Sequence, residues 1–255
     1  MDKIAGRIIC QFSCGAASAV ATKLMIAKYG ETRDVQILNA FILEEHEDNR
    51  RFLLDCEKWF GREITVLKNE KYNGSALDVF RQKQFMKSRF GAPCSMELKR
   101  KMLGKWQELD DVIVLGFTAE EENRYEDFVD RYPEREVMAP LIDAGLDKQD
   151  CKAMVLRAGI KLPHMYELGY DNANCIGCVK GGEGYFRAIK IDFPEHFEKL
   201  CALQESIGPS AYLFRDRKTQ DRYSLREMPP GRVRRNEVLP TCSFFCEMAE
   251  SDYSS

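Results

Sequence analysis

CQFSCGAASAVATKLMIAKYG, residues 10–30, joins the end of an apolar run to a helix-like segment through a turn of small residues. The apolar run predicts a buried strand, and the segment after the turn predicts a helix. Small residues let the backbone approach a ligand closely, and the N–H groups that begin the next helix face the same space. The turn therefore predicts either a phosphate-binding loop or a tight strand-to-helix connection, and spacing alone leaves both open. Its residues are Ser13, Cys14, Gly15, Ala16, Ala17 and Ser18.

The sequence before about residue 143 repeats this alternation of apolar runs and helix-like segments. After RIICQF, the apolar runs are VQILNAFIL, EITVLK, DVIVLGF and EVMAPLI. They are apolar almost throughout, as expected of parallel strands that are covered on both faces. The sequence therefore predicts an α/β fold with a doubly wound, mostly parallel five-stranded sheet of the Rossmann-like type.

The pattern changes near residue 143, where helical pieces and loops rich in Gly, Cys and Pro replace the alternation. We therefore predict an α/β domain over residues 1–143. A helical, irregular region with the cysteine pairs C-x-x-C and C-x-x-x-C should occupy residues 144–255.

Charge and composition restrict the partners. The chain has 38 Lys and Arg against 41 Asp and Glu, so as a whole it is not a general binder of nucleic acid or anionic membranes. Residues 215–235 carry eight basic and three acidic side chains, which makes them the candidate patch for DNA or tRNA. No signal-peptide pattern and no 18-residue apolar stretch occurs, which predicts a cytoplasmic protein without a membrane partner. Its ten cysteines should then be thiols or metal ligands.

Several motifs resemble one family. The turn at residues 13–18 is similar to the S-G-G-x-D-S loop of the PP-loop ATP pyrophosphatases, and SCGAASAV resembles the loop of their phosphoadenylyl-sulfate (PAPS) reductase branch more closely. LGFTAEEENR is similar to the family's fourth strand and its G-x-x-x-x-E-x-x-R stretch. PLIDAGLDKQDC and LPHMYELGYDNANCIGC resemble its P-L-x-D, L-P-x-x-x-Y-x-x-G-Y and C-x-x-C succession. The chain departs from the pyrophosphatases at Cys14, where they have Gly, and at Ala17, where they have Asp. It also lacks the second-strand D-T-G signature.

The resemblance implies a bound adenine nucleotide, ATP or PAPS, with Mg²⁺ as a further candidate. Adenine would lie against the backbone at the end of the second strand, and Arg124 would contact the anionic end of the nucleotide or substrate. Because Ala17 replaces the Asp that manages magnesium and phosphate, the resemblance leaves ATP cleavage open. The implied nucleotide-binding residues are Ser13, Cys14, Gly15, Ala16, Ala17, Ser18, Asn39, Ala40, Phe41 and Gly116.

Cys175 and Cys178, in NCIGCVKGG, have the spacing of two thiolates that bind one metal. We expect Gly177, Gly181 and Gly182 to leave N–H groups free toward the sulfur atoms. A metal-free redox dithiol is the alternative for such a pair beside a βαβ fold.

Cys94, in GAPCSMELKRK, precedes the pair by an interval that resembles the iron–sulfur pattern of assimilatory adenylyl-sulfate reductases, with Ser95 in place of a second cysteine. An iron–sulfur cluster would use Cys94 and the pair, with Cys151, a C-terminal cysteine or a non-protein group as fourth ligand. A structural zinc site is the competing arrangement and would hold the C-terminal segment down. Lys99, close to Cys94, is a candidate donor to a sulfate- or phosphate-bearing substrate. The candidate metal ligands are Cys94, Cys175, Cys178, Cys242 and Cys246.

These features predict an enzyme that activates a substrate with ATP, releases pyrophosphate and transfers sulfur. It would be similar to the PAPS-reductase-like component of DNA phosphorothioation systems and to thiolating tRNA enzymes. A cysteine desulfurase or another donor would supply the sulfur, and the chain would act as a homo-oligomer or within a complex. Sulfate reduction is one alternative, although TCSFFCE does not match the E-C-G-L-H motif of the thioredoxin-dependent enzymes. A non-catalytic nucleotide- and metal-binding assembly subunit is the other.

Overall fold

The computed structural model describes residues 6–88 and 91–239. Two of the candidate metal ligands, Cys242 and Cys246, therefore lie outside the described residues. The strands are β1 (Ile8–Gln11), β2 (Val35–Ala40), β3 (Thr65–Leu67), β4 (Val112–Val114), β5 (Val137–Met138), β6 (Phe214–Arg215) and β7 (Arg222–Tyr223). The α-helices are α1 (Ala16–Tyr29), α2 (Asp48–Phe60), α3 (Ala76–Lys83), α4 (Lys101–Trp106), α5 (Glu122–Arg131), α6 (Pro140–Asp143), α7 (Lys148–Arg157), α8 (His164–Glu167), α9 (Glu183–Asp192) and α10 (Pro194–Ile207). A π-helical segment, Ser95–Arg100, precedes α4.

Five strands form one sheet in the order β3-β2-β1-β4-β5, and every pairing in it is parallel. Helices flank this sheet, so the doubly wound α/β fold predicted from the sequence is confirmed. β1 is central: Ile8 pairs with Val35 on one side and with Val112 on the other. The two remaining strands, β6 and β7, form a separate antiparallel pair.

Alternating residues of the strands fill the core on the two faces of the sheet. Ile8 and Cys10 of β1 pack with apolar residues of α1, α2 and α7. Ile9, one position away, packs on the opposite face with Leu38 of β2 and Leu103 of α4. Both faces are covered, which explains why the strands are apolar almost throughout.

The chain divides into two compact units, and the division differs from the predicted boundary after residue 143. The first unit comprises Met1–Ala40, Glu47–Leu67 and Leu103–His164, and the second comprises Phe41–His46, Lys68–Met102 and Met165–Ser255. Two internal segments of the predicted N-terminal domain thus pack with the C-terminal part. The reason is a set of contacts far apart in sequence: the Ile176 N–H donates to the Glu44 carbonyl at 2.9 Å, and the side chain of Glu44 caps α3.

The second unit has its own apolar core, built mainly on α3, α9 and α10. Phe80 of α3, Phe186 and Ile189 of α9, and Phe197 and Leu200 of α10 are all buried in it. In neither unit, over residues 6–88 and 91–239, is a helix long and apolar enough to cross a membrane.

Candidate functional site

The first candidate site lies at the carboxyl edge of the parallel sheet in the first unit. β1 has β2 on one side and β4 on the other, so the chain leaves β1 and β4 in opposite directions along the sheet. In open α/β sheets such a reversal leaves a crevice outside the carboxyl ends of the strands, and ligands bind there. Both loops at this crevice, after β1 and after β4, carry residues predicted to bind nucleotide.

The loop after β1 is closed by the hydroxyl of Ser18. This hydroxyl donates to the Gly15 carbonyl at 3.0 Å and accepts the Ser13 N–H at 3.1 Å. Gly15 is the N-cap of α1 and supplies no side chain to it, and the first turn of the 14-residue helix contains no acidic residue. The N–H groups of a first helical turn have no partner within the helix, and the helix dipole favours an anion there. The loop can therefore hold a phosphate group.

Cys14 gives this loop an unusual backbone conformation. It is buried and has φ of 56°, in the left-handed region that favours glycine, and it stands where the PP-loop pyrophosphatases have Gly. The Asn39 amide supports it from β2, because Nδ2 donates to the Phe12 carbonyl at 2.9 Å and contacts Cys14 Sγ at 3.5 Å. Asn39 is thus placed behind the loop, where it holds the loop in shape.

The loop after β4 approaches the start of α1 closely. A Cβ atom on Gly116 would lie 2.9 Å from both the Cα and the N of Ser18, closer than real Cβ contacts come. Only glycine allows the two backbones to meet at this distance. Gly116 therefore fixes the position of the first turn of α1, which is the part of the helix that would face a phosphate.

Arg124 lies in the first turns of α5. Its guanidinium pairs with the Glu121 carboxylate and stacks 5.3 Å from the centroid of the Phe117 ring. Glu121 also closes a capping box with Thr118, in the loop that follows β4. About a third of the Arg124 side chain is exposed, so the guanidinium can still meet an anion.

The second candidate site is a largely apolar pocket inside the second unit. Its empty space, including the part open to solvent, is about 500 Å³. Cys94, Cys175 and Cys178 all line this pocket, so the structure brings together the three predicted thiols that it describes. Among the described residues, none of the three forms a disulfide bond.

Tyr185 of α9 holds the C-x-x-C turn in place. Its hydroxyl accepts the Gly177 and Cys178 N–H groups, each at 3.1 Å, and donates to the Cys175 carbonyl at 3.0 Å. Tyr185 is 2% exposed, and burial is the main cause that raises its pKa well above the usual value, so it stays a neutral donor.

The expectation that the glycine N–H groups point toward the sulfur atoms is therefore wrong. Gly177 N–H bonds to the Tyr185 hydroxyl, Gly181 N–H to the Cys178 carbonyl at 2.9 Å, and Gly182 N–H to the Glu237 carboxylate at 2.6 Å. The turn is fixed by oxygen acceptors.

Three polar side chains line the same pocket. The Glu44 carboxylate accepts the Ser75 hydroxyl at 2.6 Å and the Ala76 N–H at 2.8 Å, and so caps α3. Burial lowers the pKa of His196, which favours a neutral imidazole. Ser95 is 1% exposed, and its hydroxyl has no hydrogen-bond partner among the described residues. The pocket thus offers thiols, a neutral imidazole and a hydroxyl that lacks a partner in the described part of the chain.

Within residues 6–88 and 91–239, no group of three or more His, Cys, Asp or Glu side chains could hold a metal ion. The predicted centres also draw on Cys242 and Cys246, so the metal stays a prediction.

Lys99, the predicted anion donor, has its Nζ 3.7 Å from a carboxylate oxygen of the buried Glu45. Burial raises the pKa of Cys151, the other fourth-ligand candidate, to about 12.

Three further residues that were predicted to bind nucleotide lie at the end of β2 or at the start of α1, or belong to the second unit. Ala40 ends β2, Ala17 is half-buried in the first turn of α1, and Phe41 belongs to the second unit, with Lys68 Nζ 6.0 Å from its ring centroid.

A scan against protein-family models finds no match for this chain, and a search of curated proteins finds none either. The family resemblance drawn from the motifs therefore stays a prediction.

Sequence reasoning missed two residues that shape the thiol pocket. Tyr185 had a signal, since a tyrosine in an apolar helix must find a partner for its hydroxyl. Glu44, in the run LEEHED, looks like any other surface carboxylate in the sequence, and only the fold brings it to α3.

Proposed function

We propose that this protein binds an adenine nucleotide at the carboxyl edge of its parallel sheet and uses it to activate a nucleic-acid substrate for sulfur transfer. The observation that carries the proposal is the loop at residues 13–18, which is built of small residues and lies at the start of α1. Gly116 adds support, because its approach to Ser18 aligns the first helical turn. Reduced thiols fit the cytoplasm, where we place the protein.

The phosphates of the nucleotide would bind the first N–H groups of α1, and the helix dipole would stabilise their charge. Arg124 would add a guanidinium, which can engage a phosphate through paired donors. Ala17 supplies no metal ligand, so Mg²⁺ would be held by the phosphates and water. Adenylylation of an acceptor oxygen releases pyrophosphate, and AMP leaves when a sulfur atom attacks the activated centre.

The thiol pocket of the second unit is the source of that sulfur. A cysteine desulfurase would load one thiol as a persulfide, whose outer sulfur attacks the activated acceptor. A second thiolate then attacks the cysteine sulfur of this intermediate, so the bond to the transferred sulfur breaks, the sulfur stays on the acceptor as a thiolate, and the two cysteines form a disulfide. A dithiol reductant returns this disulfide to two thiols. Thiolates also suit an iron–sulfur cluster, for which Cys94 and the C-x-x-C pair are candidates, or a zinc ion held by that pair with Cys242 and Cys246. Either centre would need ligands from the C-terminal segment, because no group of three or more candidate ligands among the described residues could hold a metal ion. None of these steps requires the metal.

A second candidate function is nucleotide binding without turnover, within an assembly. Ala17 favours it, because the carboxylate that handles magnesium in the pyrophosphatases is missing there. Pyrophosphate release from ATP, measured with and without DNA or tRNA, separates the two functions.

Calorimetry with ATP and PAPS tests the binding site. Gly15 has φ of −109°, which valine also adopts, so Gly15→Val should fold while its side chain crowds the loop. We expect nucleotide affinity to fall at least tenfold. Gly104→Val is the control, since a Cβ atom there meets nothing within 4 Å. Unchanged affinity in a folded Gly15→Val protein would refute the phosphate loop.

A further inference from the structure

A short basic hairpin projects from the second unit. We define the basic hairpin as residues 214–223, which contain β6, β7 and the turn between them. One face is anchored: the rings of Phe214 and Tyr223 lie 5.8 Å apart, and Phe214 lies 5.8 Å from Phe186 of α9. The Tyr223 hydroxyl also donates to Glu183 at 2.8 Å. The hairpin therefore has a fixed orientation on α9.

The tip of the basic hairpin is held by its own hydrogen bonds. One Asp216 carboxylate oxygen accepts the Lys218 N–H at 2.7 Å and the Thr219 N–H at 3.0 Å. The Asp216 N–H donates to the Asp221 carbonyl at 2.9 Å. These bonds order the tip before any partner binds, which lowers the entropy cost of association.

The outward face carries two arginines directly opposite each other. Arg215 pairs with Arg222 across the two strands, an arrangement in which like charges destabilise the pairing. Among the described residues neither guanidinium meets a carboxylate: Arg215 donates to the Gln220 carbonyl at 2.8 Å, and Arg222 donates to the Tyr212 carbonyl at 3.3 Å. Their charges are therefore not neutralised by the described residues.

The tip adds two more cations. Arg217 and Lys218 are exposed, and within the part of the chain that the structure describes neither side chain forms a hydrogen bond or a close ion pair, although the charge of Arg217 helps to lower the pKa of Glu183. By contrast, Arg226 pairs with Glu198 at 2.9 Å, and Arg235 pairs with Asp192 at 2.7 Å. The basic stretch at residues 215–235 is thus not uniform: Arg226 and Arg235 are paired with carboxylates, whereas the hairpin carries four cations against Asp216 and Asp221 and has a net positive charge.

We propose that the basic hairpin binds the phosphodiester backbone of a nucleic acid. Guanidinium groups match phosphate geometry, and a polyanion relieves the repulsion between Arg215 and Arg222. The aromatic rings are packed on α9, so the contact is with phosphates and not with stacked bases. The tip, residues 216–221, has only polar and charged side chains, which disfavours insertion into a lipid surface. The inference rests on the proposed function in taking nucleic acid as the sulfur acceptor.

Fluorescence anisotropy with labelled DNA and RNA duplexes of one sequence tests this surface in the full chain. The variant is Arg215→Gln combined with Arg222→Gln, which removes two charges and relieves the like-charge pair, so we expect it to fold. The loss of two phosphate contacts should reduce the slope of log affinity against log salt by about 2, and affinity about tenfold or more. Arg226→Gln is the matched control and should leave both unchanged.

The proposal is overturned if the double variant keeps the parent's affinity and salt slope, or if the parent binds neither duplex at about 50 mM salt. Comparable binding of DNA and RNA supports contact with the backbone, and a preference for one duplex identifies the source of the phosphates. Phosphatidylserine vesicles form the third arm. If the double variant loses binding to the vesicles but binds both duplexes as the parent does, the proposal is overturned in favour of a membrane. ATP calorimetry on the same variant separates the two proposals, because nucleic-acid binding by the hairpin can be absent while nucleotide binding is present. Equally, nucleotide binding can be absent while the hairpin binds nucleic acid.

Discussion

Removing the hydroxyl of Tyr185 tests whether it holds the C-x-x-C turn. Tyr185→Phe keeps the ring, which packs at 5.9 Å from the ring of Tyr170, but it removes the acceptor of the Gly177 and Cys178 N–H groups. A buried donor without a partner costs about 1–3 kcal/mol, so we expect the free energy of unfolding to fall by about 3 kcal/mol after the turn relaxes. For a chain of this size, the melting temperature should drop by about 6–12 °C.

Urea unfolding of the two proteins measures this loss. Tyr170→Phe is the matched control: its buried hydroxyl donates to Asp192 at 2.8 Å, but Asp192 keeps two bonds from Arg235, so that change should cost about 1 kcal/mol. Maleimide should also label Cys178 faster in Tyr185→Phe, because the turn opens. A Tyr185→Phe protein within about 0.5 kcal/mol of the parent, with unchanged labelling, would refute the reasoning.

The loop after β4, one partly buried ion pair and the thiol pocket each allow a further test. Gly116→Ala places a carbon 2.9 Å from the backbone of α1, so ATP affinity should fall about tenfold by calorimetry, whereas Gly104→Ala, which meets nothing within 4 Å, should not change it. Burial opposes the charge of Asp111, but hydrogen bonds, first among them that from Arg7, outweigh burial and lower its pKa. This stabilisation is present above the unfolded pKa of about 4 and is lost as pH falls through the lower folded value. Asp111→Asn should therefore cost about 2 kcal/mol at neutral pH in urea unfolding, and little in strong acid. Protein purified without oxygen should contain iron with matching sulfide, and Cys94→Ser should lose it; zinc that survives this change would contradict the cluster.

The sheet could be predicted because each of its strands is indicated by a short, local stretch of sequence. Each strand of the βαβ pattern is a short apolar run, and a parallel sheet buries both faces of such a run. The position of the loop at residues 13–18 follows from the same pattern, because the turn after β1 must lie at the carboxyl edge of the sheet. Ile8 and Ile9, adjacent in sequence and buried on opposite faces, show why these runs do not alternate between apolar and polar residues.

The interleaving of the two units could not be predicted in this way. The segment Phe41–His46 belongs to the second unit because Glu44 caps α3 and its carbonyl accepts the Ile176 N–H, 132 positions later in the chain. Neither contact leaves a periodic trace in the sequence. The partners of the glycine N–H groups near Cys178 were mispredicted for a similar reason, since two of the acceptors come from later in the chain: Tyr185 of the following helix accepts the Gly177 N–H, and Glu237 accepts the Gly182 N–H.

Cys14 and Asn39 together indicate how the loop at residues 13–18 keeps its shape. A non-glycine residue with positive φ costs about 1 kcal/mol or more, and such strain persists only where the surroundings enforce it. Here the enforcement comes from Asn39, whose amide bonds to the Phe12 carbonyl on one side of Cys14 and contacts the Cys14 sulfur itself. The Ser18 hydroxyl closes the other side of the loop. A loop that is held from both sides by protein atoms needs no ligand to order it, so nucleotide binding would carry little ordering cost, which favours affinity even where Ala17 supplies no ligand for magnesium.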